Sequence, residues 1–329
     1  MNDNGDRPIR KKDKDPGGSQ ITIQTEAGDD RPEVQDIEEI YIDDEATEAD
    51  FNHGRIKEIP ANLNQHTKLE ILTYSQNLLS KIQNLDLLIN LRELDFHDNQ
   101  IMVIENLDSL VNLEVLDLSF NRISKIENLA TLKKLKKLYL ENNRIEKIEN
   151  LDNLKHLEML ELGSNKIRRI ENLDGLTAIT QLFLGKNKIA KIENICHLIG
   201  LQLLSIQSNR ITKIEGLDTL INLEELYVSD NGLVKIEGLE NNKLLRTLDL
   251  ASNRITAVEN LKHLSSLEEF WFNNNKVEKW EDLNELKGLA NLKTVYFEAN
   301  PIHAESTYRR KLMLILPQVQ QIDATLCRL

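Results

Sequence analysis

The sequence predicts an α/β solenoid, a curved stack of about eleven 22-residue repeats that each give one short strand to a parallel sheet. Two observations predict it. Asn77, Asn99, Asn121, Asn143, Asn165, Asn187, Asn209, Asn231, Asn253 and Asn275 each stand 22 residues from the next, and Asn300 follows after 25. Ahead of each Asn the apolar residues come two apart, as Leu116 and Leu118 do before Asn121, and a step of two is the period of a strand with one buried face.

Around each Asn sits the frame L-x-x-L-x-L-x-x-N-x-I-x-x-I-E-N-L, written most fully by Leu113, Leu116, Leu118, Asn121, Ile123, Ile126, Glu127, Asn128 and Leu129. This is the leucine-rich-repeat signature, and it implies a horseshoe with a parallel concave sheet. Leu116 and Leu118 point inward, while Val115, Asp117 and Ser119 are assigned to the other face. One such strand cannot bury its leucines alone, but parallel strands stacked about 4.8 Å apart cover one another. The Asn follows the strand where the chain turns inward, and a buried turn has backbone N–H and C=O groups that need partners; a short amide serves both. The segment after the turn is too short for a long helix and carries two isoleucines, so 3₁₀ or irregular backbone is expected on the convex side. Glu recurs there nine times, from Glu105 to Glu281, mostly with Lys or Arg two residues before it, which reads as solvated charge ladders.

The ends depart from the frame. Residues 1–42 are rich in Asp, Glu, Lys, Gly and Pro without an apolar period and read as a disordered tail; the cluster Arg10, Lys11, Lys12 and Lys14 within it is a short basic run of the kind found in nuclear import signals. Residues 43–60 carry a degraded copy, with Ile56 and Ile59 placed like the convex isoleucines and Arg55 at the Asn position, and read as an N-terminal capping half-repeat. Repeats fill 61–302. Residues 303–329 form a C-terminal cap with a helix expected from about Ala304 to Leu316, ended by Pro317.

A formal charge of −13 argues against a nucleic-acid or anionic-membrane protein, since those rely on Lys and Arg to displace counterions, and favours a partner with a basic surface. Cys196 and Cys327 are too few for a disulfide framework and have no metal-ligand company nearby. Without a signal peptide or an apolar run long enough to span a membrane, the expected location is nucleus and cytoplasm.

Function in this architecture is written on the strand residues that do not face the core. The central column lies four residues before each Asn: Thr73, Asp95, Asp117, Tyr139, Glu161, Phe183, Ser205, Tyr227, Asp249, Trp271 and Tyr296. With 15 aromatics in 329 residues an even scatter puts fewer than one in eleven positions, yet this column holds five. Strand propensity favours rings but disfavours Asp, and stacked acids repel, so rings beside carboxylates point to a protein interface with aromatic anchors and a basic partner. Glu269, two residues before Trp271 on the same face, completes the best candidate hot spot. Phe96, Phe270, Phe272 and Phe297 replace frame leucines and are assigned to the core.

Chemistry for catalysis is missing. The histidines, among them His97, His156, His197 and His263, are scattered and mostly assigned to convex or frame-edge positions, and there is no G-x-S-x-G, H-E-x-x-H, P-loop or paired C-x-x-C. No enzyme activity, metal site or cofactor is expected.

The recurrent I-E-N-L or I-E-G-L, the repeat number and the ending Tyr308-Arg-Arg-Lys-Leu-Met-Leu-Ile-Leu-Pro317 followed by Gln-Ile-Asp-Ala-Thr325 resemble the leucine-rich-repeat regulatory subunits of protein phosphatase 1, the regulatory subunit 7 family, over roughly residues 40–329. The resemblance implies a non-catalytic nuclear and cytoplasmic subunit that binds the phosphatase catalytic subunit through concave acids and aromatics, acts in its maturation, inhibition or mitotic control, and joins a ternary complex with a small heat-stable phosphatase inhibitor. The partner-binding residues are then Asp117, Tyr139, Glu161, Phe183, Asp249, Glu269, Trp271 and Tyr296, to which the column adds Tyr227; Tyr139 stands where the family is expected to have Phe. Lys293-Thr-Val-Tyr-Phe297 matches the [RK]-x-V-x-F peptide by which regulators dock on this phosphatase, but Val295 and Phe297 hold frame positions and are expected in the core, whereas a docking peptide must be free. The alternative reading is a scaffold of another nuclear or cytoskeletal complex.

Overall fold

The computed structural model describes residues 40–327. Twelve three-residue strands, from β1 (Glu48–Asp50) and β2 (Ile71–Thr73) to β11 (Glu269–Trp271) and β12 (Thr294–Tyr296), run side by side in chain order, each parallel to the next. The frame leucines of neighbouring strands are direct partners, Leu94 with Leu116 and Leu116 with Leu138, and all are buried. One continuous aliphatic core runs from Ile40 to Ile322. Phe96, Phe270, Phe272, Val295 and Phe297 are fully buried in it, so the Lys293–Phe297 run is the last repeat's strand and not a free docking peptide.

Strands this short depend on the turns at their C-terminal ends. The Asn121 amide donates to Phe96 of the preceding repeat at 2.9 Å and to Leu118 and Ser119 of its own at 3.1 Å, while its carbonyl accepts the Ile101 N–H at 2.9 Å. The same pattern recurs at Asn77, Asn143 and Asn165, and in shortened form at Asn300. A second ladder lies on the convex side, where Asn106, Asn128, Asn150 and Asn172 donate to the isoleucine carbonyl of the previous repeat at 2.7 Å. These residues have φ of +56° to +60°, a conformation Asn tolerates better than most residues and Gly best of all. That is why I-E-N-L alternates with I-E-G-L: Gly216 and Gly238 take the same position with φ of +72° and +73°.

Between these two ladders the backbone makes irregular turns. Among the described residues 3₁₀ helix occurs at Ala61–Gln65, Trp280–Leu286 and Pro301–Ala304, near the two ends of the array.

The caps hold the main differences from expectation. Asp50 pairs with Thr73, one residue more than the repeat length, so Gly54 and not Arg55 occupies the Asn position of the half-repeat, and Ile56, two residues on, gives its N–H to Asn77. Ile40 and Ile42, inside the stretch read as tail, are buried in the N-terminal end of the core; residues 1–39, with the basic cluster, lie outside the described residues. At the other end α1 (Tyr308–Ile315) starts later than expected because Pro301–Ala304 closes a separate 3₁₀ turn. Beyond Pro317 the chain returns to the sheet as β13 (Gln321–Ile322), parallel to β12, and β14 (Thr325–Leu326), antiparallel to β13.

Ahead of the strands, charges of opposite sign alternate from repeat to repeat: Glu70 with Arg92, Glu114 with Lys136, and Arg246 and Lys293 on either side of Glu268 at 2.8 and 2.6 Å. Exposed pairs of this kind contribute about 0–1 kcal/mol each. The convex pairs also form, Lys125 with Glu127 inside one repeat and Arg169 with Glu193 across two.

Removing the Asn165 side chain leaves the buried Ile145 N–H without its acceptor and takes one donor each from the Leu140, Leu162 and Gly163 carbonyls, so Asn165→Ala is expected to cost about 1–3 kcal/mol in urea unfolding, against a few tenths for Asn153→Ala on the exposed outer turn. A Cβ at Gly238 falls 2.3 Å from the Ile214 carbonyl, while one at Gly288 meets nothing within 4 Å; Gly238→Ala is therefore expected to lower the melting temperature and Gly288→Ala to leave it nearly unchanged.

Candidate functional site

The column read from the sequence is one physical row. Asp95 pairs with Asp117, then Tyr139, Glu161, Phe183, Ser205, Tyr227, Asp249, Trp271 and Tyr296 continue in direct register, and Asp50 adds a place before Thr73. Each residue is the last of its strand, which lifts its side chain off the core while the leucine before it turns in. A second row two residues earlier brings Glu225 and Glu269 to the same face, with Thr247 between them.

The members are not equally open. Tyr139, Glu161, Phe183, Tyr227, Glu269, Trp271 and Tyr296 are half-buried, but Asp117 and Asp249 are only 8% and 6% exposed, and Ser119, assigned to the open face, is fully buried. The acids are folded back onto the backbone: Asp117 accepts the Ser119 N–H at 2.9 Å, Asp249 that of Ala251 at 2.9 Å, Asp95 that of His97 at 2.8 Å and Glu161 that of Gly163 at 2.6 Å. The strand ladder uses the N–H groups one and three residues after the column, as at Phe96 and Asp98, and leaves the one between without a backbone acceptor in the ladder. A carboxylate at the column supplies one. The acids therefore have a structural task that strand propensity does not reveal, and partner recognition is not their sole explanation. The same register places His97 two residues after Asp95, its ring 4.9 Å from Phe120, rather than on the convex side.

The row is densest in function-bearing groups toward its C-terminal end. The Trp271 and Tyr296 rings lie 5.6 Å apart at 58°, and Tyr296 accepts a hydrogen bond from Gln321 of the cap at 3.0 Å. The Trp271 indole N–H is buried with no partner among the described residues. Tyr227 donates to Glu225 at 2.7 Å; burial first, then Glu225, Glu269 and Asp249, push its pKa well up, so the ring stays neutral within an acidic setting. Burial also raises the Asp249 pKa, opposed by hydrogen bonds from Ser229 and the Ala251 backbone. A shallow polar cleft of about 200 Å³ runs beside this cluster, lined by Glu224, Glu225, Arg246, Thr247, Glu268 and Glu269. Among the described residues no group of three His, Cys, Asp or Glu side chains is placed to hold a metal, and no helix is long and apolar enough to cross a membrane.

Comparison with known proteins fits this geometry. A family profile described as leucine-rich repeat matches residues 88–184 and 219–329, more than half of the chain. The chain belongs to the leucine-rich-repeat family. Its solved relatives include an internalin of Listeria monocytogenes, with a TM-score of 0.69 at 26% identity over 87% of this chain and 90% of that one. A leucine-rich-repeat protein of Leptospira interrogans has a TM-score of 0.66 at 22% identity, over 81% of this chain and 75% of its own, and speaks for the fold alone. The resemblance drawn from the repeat frame and cap is supported by curated homologues: protein phosphatase 1 regulatory subunit 7 of Homo sapiens is 58% identical over 45 residues, 14% of this chain and 12% of that protein. Protein phosphatase 1 regulatory subunit SDS22 of Schizosaccharomyces pombe is 53% identical over 45 residues, 13% of this chain and 14% of its own length. Each match thus spans about an eighth of the relative's length.

Because its raised pKa means that folded Asp249 holds its proton more tightly than the unfolded chain does, ionising it costs folding free energy, and that cost grows as pH rises above the ordinary aspartate range. Asp249→Asn keeps an oxygen for the Ala251 N–H and carries no charge. It is expected to match wild type in urea unfolding near pH 3 and to be the more stable of the two at pH 7.

Proposed function

We propose that the chain is a non-catalytic regulatory subunit that binds the catalytic subunit of protein phosphatase 1 across its concave face and governs its activity, maturation or localisation. One observation carries the reading: rings and carboxylates alternate along a single in-register row, and the row ends in the Trp271–Tyr296 pair with Glu269 beside it. Half-buried rings on a rigid sheet lose little conformational freedom on contact, and aromatic anchors near an acidic rim select and hold a basic partner. The short matches to phosphatase regulatory subunits support that choice of partner.

Asp117 and Asp249 contribute negative potential behind the rings, since both are nearly buried, while the half-buried Glu161, Glu225 and Glu269 are the carboxylates more open to direct pairing. Tyr139, Phe183 and Tyr227 supply contact area along the middle of the row. A small heat-stable inhibitor in a ternary complex, action in the nucleus and cytoplasm, and a part in mitosis complete the proposed role.

Calorimetric titration with the phosphatase catalytic subunit tests it. Wild type is expected to bind, and Glu269→Ala with Trp271→Ala to weaken binding at least about 30-fold, the effect of losing one hot spot of roughly 2 kcal/mol, with circular dichroism and melting temperature unchanged. Failure of wild type to bind either metal-loaded or metal-depleted phosphatase sinks the assignment.

A further inference from the structure

The residue after each ladder Asn is basic in five successive repeats: Arg122, Arg144, Lys166, Lys188 and Arg210. Their backbones are locked in line, because each gives its N–H to the isoleucine carbonyl of the repeat before, Arg122 to Ile101, Arg144 to Ile123, Lys166 to Ile145, Lys188 to Ile167 and Arg210 to Ile189, at 2.8–2.9 Å. The side chains are exposed or half-exposed, and none has an ion pair or side-chain hydrogen bond among the described residues. Arg168 and Lys186 stand in the same repeats, with Glu146 two residues after Arg144 and the half-buried Glu141 three before it.

Like charges held at the spacing of adjacent strands, about 4.8 Å, repel. On two other surfaces of this chain such charges meet an opposite sign. On the flank ahead of the strands the sign alternates, Glu70, Arg92, Glu114, Lys136, and the convex lysines pair with glutamates. A row of uncompensated cations on the flank after the strands, in a chain of net charge −13, is the arrangement of a surface whose counter-charge comes from outside.

We propose that this flank, from Arg122 to Arg210, is a docking strip for an extended acidic peptide of a partner protein. The strip is about 20 Å long, which six residues of extended chain cover. It is narrow, with one cation per repeat along its length, suited to a linear run of Asp and Glu. A single-stranded nucleic acid would look for stacking rings, and the one ring at the strip, Phe120, is packed against His97; the acidic concave row alongside repels a continuous polyphosphate but tolerates a short peptide that ends at the rim. The strip lies on the flank beside Tyr139, Glu161 and Phe183, so a partner seated on the concave face reaches it with an acidic loop or tail.

Fluorescence anisotropy of a labelled octa-glutamate peptide against the full chain at low salt tests the strip. Wild type is expected to bind, with affinity falling as salt rises. The double variant Arg144→Glu, Lys188→Glu turns the strip into an alternating ladder. It is expected to bind at least tenfold more weakly while its melting temperature stays level or rises by a few degrees; Arg144→Gln with Lys188→Gln is expected to lose at least threefold. Lys133→Glu with Lys243→Glu, the same charge change on the opposite flank, is expected to lose less than twofold. The proposal is overturned if wild type does not bind, if both charge-reversed pairs lose affinity equally, or if an oligothymidylate of equal charge binds more tightly than the peptide.

Discussion

Everything in this molecule hangs on the amide of one asparagine per repeat. Three-residue strands cannot hold a sheet by their own ladder bonds, and the tight turn at the end of each points carbonyls and N–H groups into a core made of leucine. Each Asn of the series satisfies groups in two successive turns at once, which fixes the distance between repeats and the direction in which the next strand starts. The leucines supply the driving force by burial, but the amide decides the register, and register is what aligns the concave row.

Much of this was legible in the sequence because the constraint is periodic. The 22-residue spacing gave the strand positions, the step of two gave the faces, and the column of rings and acids came out as a true row. What escaped was local or additive. Gly54 takes the Asn position because the half-repeat is one residue longer than the rest, which periodicity alone misplaces onto Arg55. The strands after Pro317 are too short, and too far from any repeat, to show a pattern. The alternation of Asn and Gly in I-E-N-L was visible but needed backbone dihedrals for its cause.

Charge misled in two opposite ways. The acids of the column look out of place in strands, yet four of them serve a backbone N–H, so their presence there has a cause inside the chain as well as a proposed one outside it. The net charge of −13, read as the mark of an acidic molecule, averages over a surface where cations and anions are sorted by flank. Arg122, Arg144, Lys166, Lys188 and Arg210 stand in plain view one place after the ladder asparagines, and a total hides them. Position within the repeat, not composition, is the scale on which this surface is organised.

The amide ladder also has a direction. Asn121 reaches back to complete the turn of the repeat that precedes it, and every later Asn does the same for its predecessor. During synthesis, therefore, a newly emerged repeat remains open at its turn until the next one leaves the ribosome and closes it, and order advances along the nascent chain one repeat behind translation. The last strand has no further Asn to wait for. Asp323 of the cap accepts the N–H groups of Phe297 and Glu298 instead, so the final carboxylate acts as the stop at which this one-way assembly is complete.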